Sequence, residues 1–562
     1  MDEEDQLRIE AWSLASAQPY RAMVSQAVED ITSQPSPAAN GTILVARNNP
    51  AHHEVAILRT EDHHTLATTL PIQAQGVRVL GSPDTRQLGV AISYHPKHLS
   101  RIWRVDGAPA SLQLVAELPG LVAGGKWLDS QGRLLGVTRI YDGASRLAAI
   151  DTHTGGITEL TPGMSGATEQ LLLADTQAGV LLTSNNATGR TQWAWRTLAA
   201  PHVIREATEL NRLHGTVTPL AAAPTGCQFA LHVQQGLRSK LLIASPDAQT
   251  LNDIPIPPGS VYGTGGWNHR GLWFPYSSST TPIGFATVDP HTRGSWSLAG
   301  TSALASAPQP RAEVFNGAAG PVEALVLGPR DWRTAPNLIL ALHGGPESHW
   351  KDEFNPFLHD LAAAGATVVA PNQQGSTGYG TQHQNAIVGA WGGPDLADII
   401  RMGQGIARDR RQAGLPPPAL YGVSYGAYLA LLATATEPHV WQCCLAIAPF
   451  SSPAVLHAMA GQNVKRLIDR LKGRNHINDD IGPRDLLRLV THIRAPLMIM
   501  HGDQDPVIPV EQSRCIVAAA RLNPKQSIIY EEVSGGGHYP LAEKAGRSLV
   551  PLAIQFLTNA KE

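Results

Sequence analysis

From about residue 35 to 300, apolar positions come in short runs broken by Gly, Pro, Asp, Asn or Ser, with almost no helical periodicity. Runs such as TILVA, QLGVAIS, LLGVTRI and VLLTS are too short for helices and predict strands. The pattern changes near residue 310. Beyond it, apolar strands alternate with long amphipathic stretches, which predicts a parallel sheet with crossover helices.

The strands of the first half recur. Asn40-Gly41 precedes TILVA, SPDTR precedes QLGVAIS, DSQGR precedes LLGVTRI and DTQAG precedes VLLTS; APTGC and NHRG then precede QFALHV and LWFPY. The strands begin near Thr42, Leu88, Leu134, Val180, Phe229 and Leu272, at intervals of 46, 46, 46, 49 and 43 residues. Each is followed by a second and a third strand-like segment, such as SRIWRVDG and LQLVAEL. Three or four strands per unit of roughly 45 residues predict a β-propeller blade. One blade cannot bury both its faces, so the units must close around an axis. Six repeats are countable, and a seventh built from residues near 22–35 and 300–310 stays open, giving six or seven blades over residues 31–310. Residues 1–30 predict an N-terminal helical segment, interrupted at Pro19. Residues 311–562 form the second domain.

Composition narrows the function. A net charge of -3 with no basic stripe argues against a nucleic-acid partner. No apolar run approaches the roughly 18 residues that span a bilayer, so no membrane partner is expected. The start, Met1-Asp2-Glu3-Glu4-Asp5, has no apolar core of a secretory signal. Four cysteines are too few for a disulfide framework, and Cys443 and Cys444, inside an apolar run, read as buried inert thiols. A cytoplasmic protein is expected. There are 22 histidines, yet none lies in HExxH spacing, and the pairs His52-His53 and His63-His64 read as loop residues. Neither a metal nor a cofactor is implied.

The chemistry is concentrated in ALYGVSYGAYLALLATA. An apolar strand, Ala419-Leu420-Tyr421, runs into Gly422-Val423-Ser424-Tyr425-Gly426 and then into a run of helix formers. A strand-to-helix turn sharp enough to expose a serine oxygen brings its neighbours against adjacent backbone, where only glycine fits. A serine at its ordinary pKa is a weak nucleophile, so a base must follow. The α/β-hydrolase chain order is Ser, then Asp or Glu, then His. The strand PLMIMHG ends in Asp503-Gln504-Asp505, and the strand SIIYEEV ends in Ser534-Gly535-Gly536-Gly537-His538. Both ends are where open α/β sheets place ligands. Spacing alone leaves Asp503 and Asp505 as competing acids. An oxyanion hole needs two backbone donors; the amide of Tyr425 supplies one, and Gly345, in the His343-Gly344-Gly345-Pro346 loop, supplies the other.

The chain resembles the prolyl oligopeptidase family of serine peptidases, especially its acylaminoacyl-peptidase and dipeptidyl-peptidase branch. HGGP at 343–346, PNQQGSTGYG at 371–380, WGGPDLAD at 391–398, GVSYG at 422–426, HGDQD at 501–505 and GGGHYP at 535–540 carry the resemblance. It implies a β-propeller followed by an α/β-hydrolase domain, with Ser424, Asp505 and His538 as the catalytic triad, and Gly345 and Tyr425 as oxyanion donors. The acid of HGxxD maps to Asp505. The resemblance also implies a propeller acting as a size filter, and relatives that are often dimers or larger, so a homo-oligomer is expected.

Two departures bear on substrate. Gln374 stands where relatives carry arginine, and a neutral amide cannot do a cation's work. No propeller-borne pair of glutamates suits a free amino terminus; Glu29-Asp30 and Glu61-Asp62 read as solvated charges. The expected activity is cleavage of an acylated or free amino-terminal residue from a short peptide. The alternative keeps the triad and changes the substrate: an esterase, amidase or acyltransferase on a small acylated or aminoacylated metabolite, since the acyl pocket and not the triad sets substrate. A propeller scaffold with an inactive hydrolase is a third reading, which the complete Ser, Asp, His and oxyanion set opposes. Phe450 is a candidate wall of the acyl pocket or a core aromatic, and the stretch 462–476 is an insertion that could border the site.

Overall fold

The protein is described here from a computed structural model covering residues 8–13, 20–29, 32–49, 52–61, 64–161, 168–186, 191–292, 295–304 and 309–559. Six antiparallel sheets follow one another in the first half. Blade 1 comprises Gln34–Pro37, Ile43–Asn49, His52–Glu61 and His64–Ile72. Blade 2 comprises Gly76–Gly81, Gly89–His95, Leu99–Gly107 and Ala110–Pro119. Blades 3, 4, 5 and 6 open on Leu121–Trp127, Glu169–Asp175, Thr216–Ala222 and Ser260–Val261 with Gly266–Asn268. The propeller therefore has six blades.

The repeat seen in the sequence is the turn between the first and second strand of each blade. Its physical basis is an Asx turn, in which a side-chain oxygen accepts a backbone amide two residues on. Asn40 accepts from Thr42, Asp84 from Arg86, Asp129 from Gln131, Asp175 from Gln177 and Asn268 from Arg270, at 2.8–3.0 Å. Blade 5 makes the same turn with Pro224-Thr225-Gly226 and no such oxygen.

The amino-terminal segment is not helical where it is described. Glu10–Ser13 and Tyr20–Val24 pair as an antiparallel hairpin, while residues 1–7, 14–19, 30 and 31 lie outside the described residues. Ile9 and Ala11 pack against Ile43, Val45 and Leu58 of blade 1. Trp12 meets Phe285 of blade 6 at a ring separation of 5.9 Å. Among the described residues each blade is built from consecutive strands and none shares a strand across the closure; the hairpin spans that seam instead. Glu29, expected to be solvated, is buried and bonded by Arg47 Nε at 3.0 Å and Nη2 at 2.7 Å; Asp30 and Asp62 lie outside the described residues. His52 and His53 open a strand rather than a loop, and His63 lies outside the described residues.

The second half is an eight-stranded sheet. In spatial order its strands are Arg311–Asn316, Pro321–Leu327, Thr367–Pro371, Leu338–Leu342, Ala419–Val423, Cys444–Ile447, Leu497–Gly502 and Ile528–Val533. The first three pair antiparallel and the rest parallel. Strands buried on both faces, such as LILAL and ALYGV, read as continuous apolar runs for that reason. Apolar cores cover both faces. Cys443 and Cys444 lie in that interior, fully buried and unbridged. No helix among the described residues is long and apolar enough to cross a membrane.

The turns between second and third strands of blades 5 and 6 face the hydrolase domain. Gly236 N–H donates to the Gly378 carbonyl at 2.8 Å, and Leu237 N–H donates to Glu323 at 3.1 Å. In blade 6, the Ser279 amide and hydroxyl both donate to Asp352 Oδ1, at 2.8 and 2.7 Å. Tyr262 adds a hydrogen bond to Glu353. These contacts hold the segments that follow HGGP and that contain GSTGYG, so the propeller is fastened to the loops bordering Ser424.

Candidate active site

Ser424 ends the fifth strand of the sheet and caps the helix Tyr425–Thr436 with φ 58° and ψ -122°, a conformation rare for a residue with a side chain. The glycines around it are sterically required. A Cβ on Gly422 would lie 2.3 Å from the Gly426 carbonyl oxygen, and one on Gly426 would lie 2.4 Å from the Leu342 oxygen. The turn is pinned to the next strand by Ser424 N–H on the Ile447 carbonyl at 2.8 Å. The helix behind it, YGAYLALLATAT, is buried nearly all round, which fits its apolar sequence.

Asp505 and His538 meet beyond the ends of the two following strands. His538 Nδ1 lies 2.6 Å from Asp505 Oδ2. Asp505 Oδ1 accepts the amides of Val507 at 2.7 Å and Ile508 at 3.0 Å, and its side chain has no exposed surface. Burial alone would raise its pKa; hydrogen bonds from His501 and His538 and the Ile508 amide outweigh it and hold the carboxyl far below the usual range. Asp503 serves a different purpose: its Oδ1 accepts Gly535 N–H at 2.7 Å and shapes the glycine loop. That loop interlocks with the acid loop through Gln504 N–H on the Gly536 carbonyl at 2.9 Å. Glu543 braces it from the other side by accepting Gly537 N–H at 2.5 Å. Of the two acids that spacing alone left open, Asp505 is the one that meets His538.

The HGGP loop runs beside the serine: a Cβ on Gly344 would stand 3.4 Å from Ser424 Cβ. His343 anchors it, with Nε2 2.8 Å from Ser376 Oγ and Nδ1 2.7 Å from the Gly344 oxygen, and burial pushes its pKa down to about 4. Gly345 sits at φ 130°, a backbone shape that glycine supplies. The Tyr425 amide opens its helix, where first-turn N–H groups have no partner inside the helix. Both oxyanion candidates therefore flank Ser424.

Two contributors were not identified from sequence. His501, fully buried, lies with Nε2 3.2 Å from Asp505 Oδ2 and 2.9 Å from the Ile508 carbonyl, while Nδ1 meets Ser513 Oγ at 2.7 Å. Two acceptors at Nε2 make it the protonated nitrogen, so the ring donates to Asp505 and accepts from Ser513. A histidine inside the otherwise apolar strand LMIMHG was the available signal. Asp395, fully buried, accepts the Tyr425 hydroxyl at 2.6 Å, and Trp391 packs edge-on to the Tyr425 ring at 5.0 Å. Burial lifts the Asp395 pKa to about 6. WGGPD therefore fixes the side chain of the residue whose amide faces the site.

Phe450 is only 2% exposed and stacks on Tyr428 with centroids 4.4 Å apart. It braces the elbow helix from within the core. The insertion does border the site: Arg470, in the helix Gln462–Arg470, pairs with Glu347 on the HGGP loop through Nη1 at 2.9 Å. Gln374 donates its backbone N–H to Asp398 Oδ2 at 2.9 Å and lines a cavity of about 540 Å³ with Tyr379, His383 and Asp398.

A six-bladed propeller fastened over an eight-stranded sheet, with serine, aspartate and histidine past the ends of its fifth, seventh and eighth strands, defines a propeller-capped α/β-hydrolase. Residues 353–561 match the Prolyl oligopeptidase family, so the chain resembles that family over its hydrolase domain. Over 196 residues it is 26% identical to the uncharacterized peptidase YuxL of Bacillus subtilis, covering 34% of this chain and 29% of the relative. Over 221 residues it is 28% identical to dipeptidyl aminopeptidase BIII of Pseudoxanthomonas mexicana, covering 37% and 31%. The chain thus spans less than a third of the length of these curated relatives. The whole fold is shared with an acylaminoacyl peptidase solved with Z-Gly-Gly-Phe-chloromethyl ketone, at a TM-score of 0.72, 14% identity and coverage of 98% and 93%. It is also shared with a puromycin-hydrolyzing peptidase of Mycobacterium tuberculosis, at 0.72, 18% identity and coverage of 99% and 91%.

Proposed function

We propose that the chain is a serine peptidase that cleaves the amide bond of an amino-terminal residue, acylated or free, in short peptides through an acyl-enzyme on Ser424. The observation that carries this is the 2.6 Å contact between His538 Nδ1 and Asp505 Oδ2. In this reading Ser424 Oγ attacks the carbonyl carbon while His538 Nε2 takes its proton, and Asp505 holds the tautomer with hydrogen on Nδ1. The amides of Gly345 and Tyr425 receive the negative charge on the tetrahedral oxygen. Collapse expels the amine, protonated by His538, and water repeats the sequence on the ester. The names of the relatives, dipeptidyl aminopeptidase and acylaminoacyl peptidase, support amide cleavage near an amino terminus. Unbridged cysteines support a reducing, cytoplasmic setting.

A second reading is hydrolysis of a small aminoacylated compound by the same triad, favoured by the puromycin-hydrolyzing structural neighbour. Turnover of aminoacyl-, acylaminoacyl- and dipeptidyl-anilides beside simple esters and puromycin tests both. Anilide or peptide turnover well above puromycin turnover supports the peptidase; fast ester turnover with only trace amide cleavage overturns it.

A further inference from the structure

Two cations on the innermost strands of the propeller have no carboxylate partner. Arg78 stands on the first strand of blade 2 and Lys126 on the first strand of blade 3. First strands of neighbouring blades pack on one another, blade 1 on 2, 3 on 4, 4 on 5 and 5 on 6, so these strands surround the axis. The Nε and Nη2 atoms of Arg78 are buried without a hydrogen-bond partner. Neither cation makes an ion pair among the described residues. Burial and the charge of Arg78 both push the Lys126 ammonium's pKa down, so the two groups share one environment.

This differs from how the same chain buries arginines for structure. Arg196 Nε meets Glu169 at 3.0 Å and Nη1 the Pro201 carbonyl at 2.5 Å. Arg410 donates to the carbonyls of Trp332, Ala335, Pro336 and Pro416 at 2.7–3.0 Å. Both are saturated, whereas Arg78 is not. Two half-buried like charges repel and lose part of their hydration, which is costly unless something compensates them.

The backbone is also shaped around the pair. The first strand of blade 3 bulges between Ala123 and Lys126, and a bulge re-aims the side chain beside it. Blades 4 and 5 bulge at comparable places, between Leu171 and Leu173 and between Pro219 and Ala221, without glycine. Blade 3 alone of these uses glycines there, Gly124 at φ 70° and Gly125 at φ 126°. A Cβ on Gly125 would stand 3.4 Å from Arg78 Nη2, so the bulged backbone lies against the guanidinium.

We infer that Arg78 and Lys126 form an anion-binding site at the propeller axis, taking a carboxylate or phosphate group. Nε and Nη2 lie along one edge of the guanidinium, the edge that grips two oxygens of such a group side by side. Lys126 adds a point charge. The proposal does not depend on the hydrolase reading.

Isothermal titration of the full chain at fixed ionic strength tests it, with inorganic phosphate in one arm and acetyl-diglycine or its amide in the other. Binding of phosphate, or of acetyl-diglycine but not its amide, supports the site when Arg78→Gln and Lys126→Met each weaken it at least tenfold. Phosphate alone identifies a free oxyanion as the ligand; a preference for the free acid over the amide identifies a peptide carboxylate. Arg78→Lys keeps the charge, guards against a folding defect, and is expected to weaken binding less than Arg78→Gln. No binding in either arm, or equal binding by the folded variants, overturns the proposal.

Discussion

Nδ1 of His538 lies 2.6 Å from Oδ2 of Asp505, and the same oxygen has a second histidine, His501, 3.2 Å away. Asp503, two residues earlier, faces the Gly535 amide instead. Asp505→Asn is therefore expected to lower kcat by about 10⁴, because an amide at that place favours the wrong imidazole tautomer. Asp503→Asn should cost less than about tenfold. Steady-state kinetics on one anilide decides the matter; equal losses would contradict the assignment.

His501 acts through Asp505 rather than on substrate. Removing its hydrogen bond in His501→Ala should lower kcat roughly 10- to 100-fold, the worth of a bond to a buried charge. With a donor gone, the carboxylate becomes more basic and favours the protonated His538, so the acid limb of kcat against pH moves to higher pH. A purely structural role would lower activity without moving that limb.

Asp395 and Asp505 give stability opposite pH dependences. The folded pKa of Asp395 is raised from 3.8 to about 6, so the folded state retains a proton that the unfolded chain releases, and stability falls as pH rises through that window. Asp505 is depressed; its contribution is present above the unfolded pKa and is lost as pH falls towards the folded one. Asp395→Asn should remove the first dependence, leaving melting temperature flatter or rising between about pH 4 and 6. An unchanged slope in calorimetry would count against a protonated Asp395.

The amino-terminal hairpin holds the propeller seam. Trp12→Ala removes the contact to Phe285 and is expected to lower the propeller's melting temperature by roughly 3–6 °C while leaving the hydrolase transition in place. Differential scanning calorimetry reads both; a shift confined to the hydrolase transition would refute the seam.

Much of this was legible before the structure because local chemistry and global fold agree. Asp84, Asp129 and Asp175 mark turns that recur because each caps its own backbone. Gly422 and Gly426 announce the elbow because no larger residue fits. The hairpin at Glu10–Ser13 and Tyr20–Val24 was hidden: its Ala, Glu and Met favour helix, and packing on blades 1 and 6 overrides that propensity. Asp395 and His501 were hidden for another reason. Their importance is that they touch Tyr425 and Asp505, residues 30 and 4 positions away, and no periodicity encodes such a contact. Arg78 and Lys126 likewise meet only where blade 2 packs on blade 3.

The most direct test of the central claim is covalent labelling with a fluorophosphonate, read by intact mass and peptide mapping in the wild type, Ser424→Ala and His538→Ala. The account predicts one adduct per chain, on Ser424, absent from Ser424→Ala and slowed by orders of magnitude in His538→Ala. Folded wild type that takes no label, or labelling undiminished in Ser424→Ala, would contradict it.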